Sequence, residues 1–272
     1  MHLNLSDFVL FISLKATYSQ VSHSNINMHL VASPLPLSRD AQACLMSSLI
    51  MITTVECVKA LTGLMDRKLT RKIMHLAAGP VFMLTWPFFS AEKSGRLWAA
   101  AVPLGMTLKF ALTGLGVLNI AGDVEAMSRS GERKELLRGP LIYGLVFTAA
   151  TILAFREVIA AASLMALCAG DGMADVVGRR WGGALGVKLP WSPRKSWPGS
   201  CAFLVASFGA SAAFGALFHA WGWSTMPTHA MLAPLLLACL VGAAVESLPF
   251  ADVDNVLVPS AVAAVLAACK CC

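Results

Sequence analysis

Eight apolar stretches separated by short polar links organise the chain from residue 44 onward. They cover residues 44–64, 73–90, 97–121, 139–155, 157–170, 199–221, 230–248 and 256–270. A helix that crosses a bilayer needs ~20 mostly apolar residues, and most of these stretches approach that length. The fifth is short by itself, and its helix can continue into the charged segment after Gly170. The pattern predicts an all-α, polytopic integral membrane protein with about seven or eight transmembrane helices, in one membrane-embedded domain over residues 44–272. Residues 1–43 differ: they contain many Ser and Asn residues and few acids, and their apolar run from Leu3 to Leu14 is too short to span. They read as an N-terminal leader, with a plastid transit peptide and an arbitrary extension as the two alternatives.

Composition supports the bilayer as the main solvent. The 272 residues are 57% hydrophobic and 13% charged, with a mean hydropathy of +0.69, whereas a soluble domain carries about 25% charged residues. The net charge of +6 does not indicate a nucleic-acid partner, because the basic residues sit in short links between apolar runs. Cys57, Cys168, Cys201 and Cys239 lie singly inside apolar segments without metal-ligand spacing and read as small buried residues.

The link charges test the span count. Most of the 21 Lys and Arg residues fall in three groups: Arg67, Lys68, Arg71 and Lys72; Arg129, Arg133, Lys134 and Arg138; and Arg179, Arg180, Lys188, Arg194 and Lys195. Two spans separate each group from the next, so all three lie on one membrane face, as does the acidic link Pro249–Asn255. The opposite face receives short links such as Ala91–Arg96 and Trp221–His229. This parity follows the positive-inside rule. The parity leads to the expectation that a charged, water-soluble substrate is handled on that face while an apolar partner arrives through the bilayer.

The densest chemical signal is GDGMADVVGRRWG at residues 170–182, followed by KLPW at 188–191 and KSWPGS at 195–200. Asp171 and Asp175 are four apart and share a helix face. Two carboxylates on one face suit Mg²⁺ or another divalent cation, which binds through one or two carboxylates plus substrate phosphates. Gly178 and Gly182 extend the stripe as bare backbone with room for a phosphate, and Arg179, Arg180, Lys188, Arg194 and Lys195 supply charge to hold a triphosphate. The competing reading pairs the two aspartates with Arg179 and Arg180 on a solvated helix face. The glycine density argues against ordinary helix stabilisation. No GxxxxGK[ST] loop or protein-kinase motif set is present.

These motifs resemble the signature of the phytol kinase and dolichol kinase family of polytopic membrane enzymes. Arg71-Lys72-Ile73-Met74-His75 with Gly79-Pro80 is similar to the family's N-terminal element, and Val245-Glu246-Ser247-Leu248-Pro249 with Asp254-Asn255 and Pro259 to its C-terminal element. The stretch Met127–Glu132 through Leu137–Pro140 resembles the plant-type phytol and farnesol kinase branch. The resemblance implies phosphorylation of phytol or a related isoprenoid alcohol, CTP as phosphoryl donor, a divalent metal, a chloroplast membrane and a role feeding tocopherol synthesis. It implies Asp171, Asp175 and Lys195 as catalytic residues, with Gly178, Arg179, Arg180, Gly182, Lys188, Ser196, Gly199, Ser200, Arg71, Lys72 and His75 around the nucleotide phosphates and Asp254 and Asn255 nearby. Two departures stand out: Pro198 replaces a small or acidic residue, and Asp252 is displaced by one position from the family's paired aspartates.

Other polar residues keep alternatives open. His75 suits a phosphate or the alcohol proton, and equally a hydrogen-bonded structural role. Glu56 and Lys59 are three apart in the first span and can pair, while Lys109 in the third stands alone and can face a cavity or snorkel. A CTP-using lipid cytidylyltransferase is the rival enzyme, and a transporter using Glu56, Lys59 and Lys109 is the rival outside enzymes. The choice among phytol, farnesol, geranylgeraniol and dolichol rests on resemblance alone.

Overall fold

A computed structural model describes residues 37–60, 67–182, 186–249 and 253–269. The helices are α1 (Arg39–Ala60), α2 (Arg67–Leu84), α3 (Lys93–Leu115), α4 (Ala121–Met127), α5 (Gly139–Ala154), α6 (Val158–Met165), α7 (Asp171–Val177), α8 (Trp197–Ala220), α9 (Thr228–Glu246) and α10 (Asp254–Ala268). Among the described residues six helical stretches are long and apolar enough to cross a membrane, one of them the 25-residue run Val158–Gly182. With α2, whose first turns carry Arg71 and Lys72, and the shorter α10, they correspond one to one with the eight expected spans. The chain is a multi-pass, all-α membrane protein.

The run Val158–Gly182 is the central helix. It passes from α6 through a wide π turn at Ala166–Gly170 into α7 and ends in a second π turn at Gly178–Gly182. Such turns interrupt the regular ladder at functional positions more often than elsewhere. Of its most apolar window 72% is buried, more than for any other spanning helix. Phe82, Trp86, Phe147, Phe203 and Phe218 pack around its Leu164 and Met165 in the main apolar cluster. A second cluster of Val55, Val58, Met74, Phe110, Met127 and Leu136 fills the end near α4.

Three of the differences from expectation have a local cause. First, α1 begins at Arg39, inside the segment read as leader, because Ser38 Oγ accepts the Ala41 N–H at 3.3 Å and Asp40 is buried. Residues 1–36, and with them the leader reading, lie outside the described residues. Second, α3 stops at Leu115, where Gly116 takes φ 81°, the left-handed end that glycine supplies without a Cβ penalty. Third, the charged link after Gly182 includes an antiparallel hairpin, β1 (Lys188–Leu189) with β2 (Ser192–Ser196), which helix periodicity could not reveal.

The two ends of the bundle carry different polar groups. At one end the Asp40 carboxylate accepts the Ser90 N–H (2.7 Å) and hydroxyls from Ser90 (2.8 Å) and Ser94 (2.9 Å). Nearby, Arg156 adopts φ 66° and donates to the carbonyls of Trp86 (3.2 Å) and Phe89 (2.6 Å), its guanidinium 4.5 Å over the Trp223 ring. At the other end Lys72 meets Asp171, and Lys195 meets Glu246 and Asp254. This division matches the charge parity of the links.

Two outcomes follow. Replacing Arg156→Ala leaves the Trp86 and Phe89 carbonyls without these donors and should lower stability by about 1.5–3 kcal/mol, read as a fall in thermal midpoint in detergent. In a cysteine-free background, Ser130→Cys and Arg180→Cys should be labelled by an impermeant maleimide from one side and Glu92→Cys from the other.

Candidate active site

Four connections build the charged end. The first turns of α2 present Lys72, α7 presents Asp171 and Asp175 one turn apart, the hairpin presents Lys195, and the facing ends of α9 and α10 present Glu246 and Asp254. Lys72 Nζ stands 2.8 Å from Asp171 Oδ2 and 3.6 Å from Asp175 Oδ2, so one buried ammonium bridges both carboxylates. Arg179 Nη2 reaches Asp175 Oδ2 at 2.8 Å from the next helical turn. Burying any of these charges alone would cost several kcal/mol, and mutual pairing offsets much of that.

Lys195 forms a second node. Its Nζ donates to Glu246 Oε1 and lies 3.8 Å from Asp254 Oδ2. Burial disfavours the Lys195 ammonium, but Glu246, Asp171 and Asp254 outweigh it and hold the group above its ordinary pKa. Lys195 is therefore a fixed cation and not a general base. The hairpin is pinned by Trp191, whose indole donates to Ser247 Oγ at 3.2 Å and whose ring meets Trp197 edge-on. Ser196 caps α8 by accepting the Gly199 N–H, and Pro198 sits in that first turn, where its missing N–H costs nothing. The displaced Asp252 lies outside the described residues.

The glycines have a packing role beyond the one expected of them. A Cβ on Gly182 would fall 2.2 Å from Ser196 Oγ, one on Gly178 3.2 Å from the same oxygen, and one on Gly199 2.9 Å from the Ala174 carbonyl. Their bare backbones let α8 and the hairpin close on the central helix, and Ser196 fills the space in front of Gly182.

The remaining expected residues divide. Arg71 lies beside Gly139 in the field of Arg129, Asp171 and Asp175. His75 is buried one turn below Lys72, edge-on to Tyr143 at a ring distance of 4.4 Å, and its Nδ1 has no partner among the described residues. Arg180 and Lys188 are exposed, Ser200 keeps a buried hydroxyl without a partner among the described residues, and Asn255 donates its N–H to Asp254 Oδ1 at 3.0 Å.

Glu246 was absent from the expected site, although an acid closing an apolar span is itself a signal that it has a partner. Lys109 is not isolated: it pairs with buried Asp123 at 2.8 Å, and Lys59 meets the same carboxylate as well as Glu56. These residues form a structural knot between α1, α3 and α4.

Among the described residues no three His, Cys, Asp or Glu side chains gather to hold a metal ion by themselves. Asp171 and Asp175 nevertheless fit Mg²⁺, which takes one or two carboxylates and completes its shell with phosphate and water.

Fold and site together define a polytopic membrane protein with a paired cluster of cations and carboxylates at one end of an apolar bundle. No family model and no solved structure matches the chain. Among curated proteins, the chain is 43% identical over 195 residues to a farnesol kinase, chloroplastic, of Arabidopsis thaliana, covering 71% of this chain and 62% of that one. It is 37% identical to a probable phytol kinase, chloroplastic, of Triticum aestivum, covering 83% of this chain and 76% of the relative. Phytol kinase 1, chloroplastic, of Arabidopsis thaliana is 36% identical, covering 73% of this chain and 66% of the relative. The chain belongs to the plant phytol kinase family, a family of alcohol phosphotransferases.

Gly182→Ala should cost about 1–3 kcal/mol by overpacking against Ser196, visible as a lower thermal midpoint. Ser196→Gly in the same chain should recover part of that loss.

Proposed function

We propose that the protein is a CTP-dependent phytol kinase of a chloroplast membrane, transferring a phosphoryl group to phytol or a closely related isoprenoid alcohol. The observation that carries this reading is the Lys72 ammonium bridging Asp171 and Asp175, with Arg179 and Lys195 close by. Named relatives that phosphorylate phytol and farnesol support the acceptor class. CTP as donor, Mg²⁺ as metal and a place before tocopherol synthesis are what the motif resemblance implies.

In this reading Asp171 and Asp175 would hold a divalent ion, whose charge would screen the donor phosphates. Lys72 keeps the two carboxylates from repelling each other before the nucleotide arrives. Lys195 is held by Glu246 and Asp254, and Arg179 by Asp175, so each presents charge with little freedom left to lose. Arg180 and Lys188, both exposed, draw the triphosphate toward this face. The acceptor hydroxyl oxygen bonds to the terminal phosphorus, the bond to the nucleoside diphosphate breaks, and the hydroxyl proton leaves to solvent or to a donor phosphate oxygen. A loose phosphoryl-transfer transition state makes modest demands on a general base.

A farnesol acceptor is the second reading, favoured by the 43% identity to a farnesol kinase. A panel assay separates them: purified protein in detergent with labelled CTP, ATP, GTP or UTP, Mg²⁺, and phytol, geranylgeraniol, farnesol or dolichol. Phytyl monophosphate and CDP are expected. Pyrophosphate release would identify a cytidylyltransferase instead, and no phosphorylated alcohol with any donor would refute the kinase reading. Asp171→Asn should lower kcat by about a hundredfold or more.

A further inference from the structure

An apolar groove opens between α1, α2, α3, α4 and α5 at the seam of the two apolar clusters, enclosing about 620 Å³ including its mouth. Met74, His75 and Pro140 lie at its charged end, and Phe82, Val102 and Phe147 lie deep in the bundle. From His75 to Phe82 the α2 axis rises ~10 Å, and Phe82 and Phe147 meet edge-on at 6.2 Å to form a floor. The polar side chains lining the groove are His75, Thr107 and Tyr143; the Thr107 hydroxyl donates to the Pro103 carbonyl, whereas the buried His75 Nδ1 has no partner among the described residues. Tyr143 holds that turn by donating to the His75 carbonyl at 3.0 Å, and Lys72, bound to Asp171, lies one turn nearer the charged end.

We infer that this groove is the isoprenoid-alcohol site: the hydroxyl is anchored at His75 Nδ1 beneath the Lys72–Asp171 pair, and the Phe82–Phe147 floor measures the tail. This rests on the kinase reading for the identity of the acceptor. The carrying observation is that His75, whose buried Nδ1 has no partner among the described residues, lines a dry groove where that groove approaches the charged cluster. A single hydroxyl on a long hydrocarbon satisfies both parts, whereas a charged or bulky polar ligand would leave its own groups unpaired among Met74, Val102 and Phe147. A tail longer than the groove has to bend or leave toward the lipid, so the floor discriminates acceptors by length.

Two measurements on the full chain in detergent test this. A photoreactive diazirine analogue of farnesol should crosslink to peptides of α2, α3 or α5 facing the groove, and unlabelled alcohol should compete; labelling confined to α8–α10 would overturn the assignment. In the acceptor panel, Ala78→Phe, placed midway along the groove, should raise KM for long acceptors about tenfold or more relative to shorter ones, with CTP binding unchanged. Should that variant not fold, Met106→Phe on α3 narrows the same groove. An unchanged long-to-short ratio in a folded variant overturns the inference. His75→Leu should raise KM for the alcohol and His75→Asn, which places an amide near Nδ1, should restore part of it; equal loss in both would remove His75 as the anchor. Crosslinking in the groove without phosphorylation of any alcohol would defeat the kinase reading and leave the groove assignment standing.

Discussion

Everything at the charged end depends on one constraint: ionised side chains inside an apolar bundle must be paired where they lie. Lys72 is buried on α2, and its only economical position is between the carboxylates of Asp171 and Asp175. That contact ties α2 to the central helix. Lys195 ties the hairpin to α9 and α10 through Glu246 and Asp254 on the same principle. The two nodes act on each other through the field between Lys195 and Asp171, so removing any member leaves an uncompensated charge and loosens several connections at once. Close approach of α8 and the hairpin to the central helix, possible only past Gly178, Gly182 and Gly199, makes the pairing geometrically feasible.

The molecule works between two solvents. Under the proposed function, the cations and carboxylates at the charged end receive the nucleotide from water, and the groove lined by His75 receives the isoprenoid from lipid. The far end, with Asp40 held by Ser90 and Ser94 and Arg156 held on the Trp86 and Phe89 carbonyls, closes the bundle without adding chemistry. On that reading, one bundle joins a highly charged donor to a nearly insoluble acceptor, each kept in its own environment until the reacting oxygen and phosphorus meet near α7.

The helical layout was legible because spanning segments must be apolar over a nearly fixed length, and the basic links counted them by parity. The continuation of the fifth span past Gly170 could be anticipated, although its two π turns could not, since they are set by packing against α8. Asp171, Asp175, Arg179 and Lys72 were legible from spacing and motif, but the Lys72 bridge joins residues 99 positions apart, which no local pattern encodes. Gly182 shows a subtler gap. Its missing side chain was visible, but that Ser196 fills the space depends on how the hairpin folds back. Glu246 and Asp123 escaped for the same reason: a lone acid at a helix end acquires meaning only when the distant lysine that meets it is known.

The most direct test of the account is calorimetric titration of CTP into the detergent-purified protein, with and without Mg²⁺, for the wild-type chain and for Asp171→Asn. The paired-carboxylate site predicts Mg²⁺-dependent binding that Asp171→Asn weakens by about tenfold or more, with the thermal midpoint still showing a folded protein. Binding of equal strength in a folded Asp171→Asn variant would contradict it.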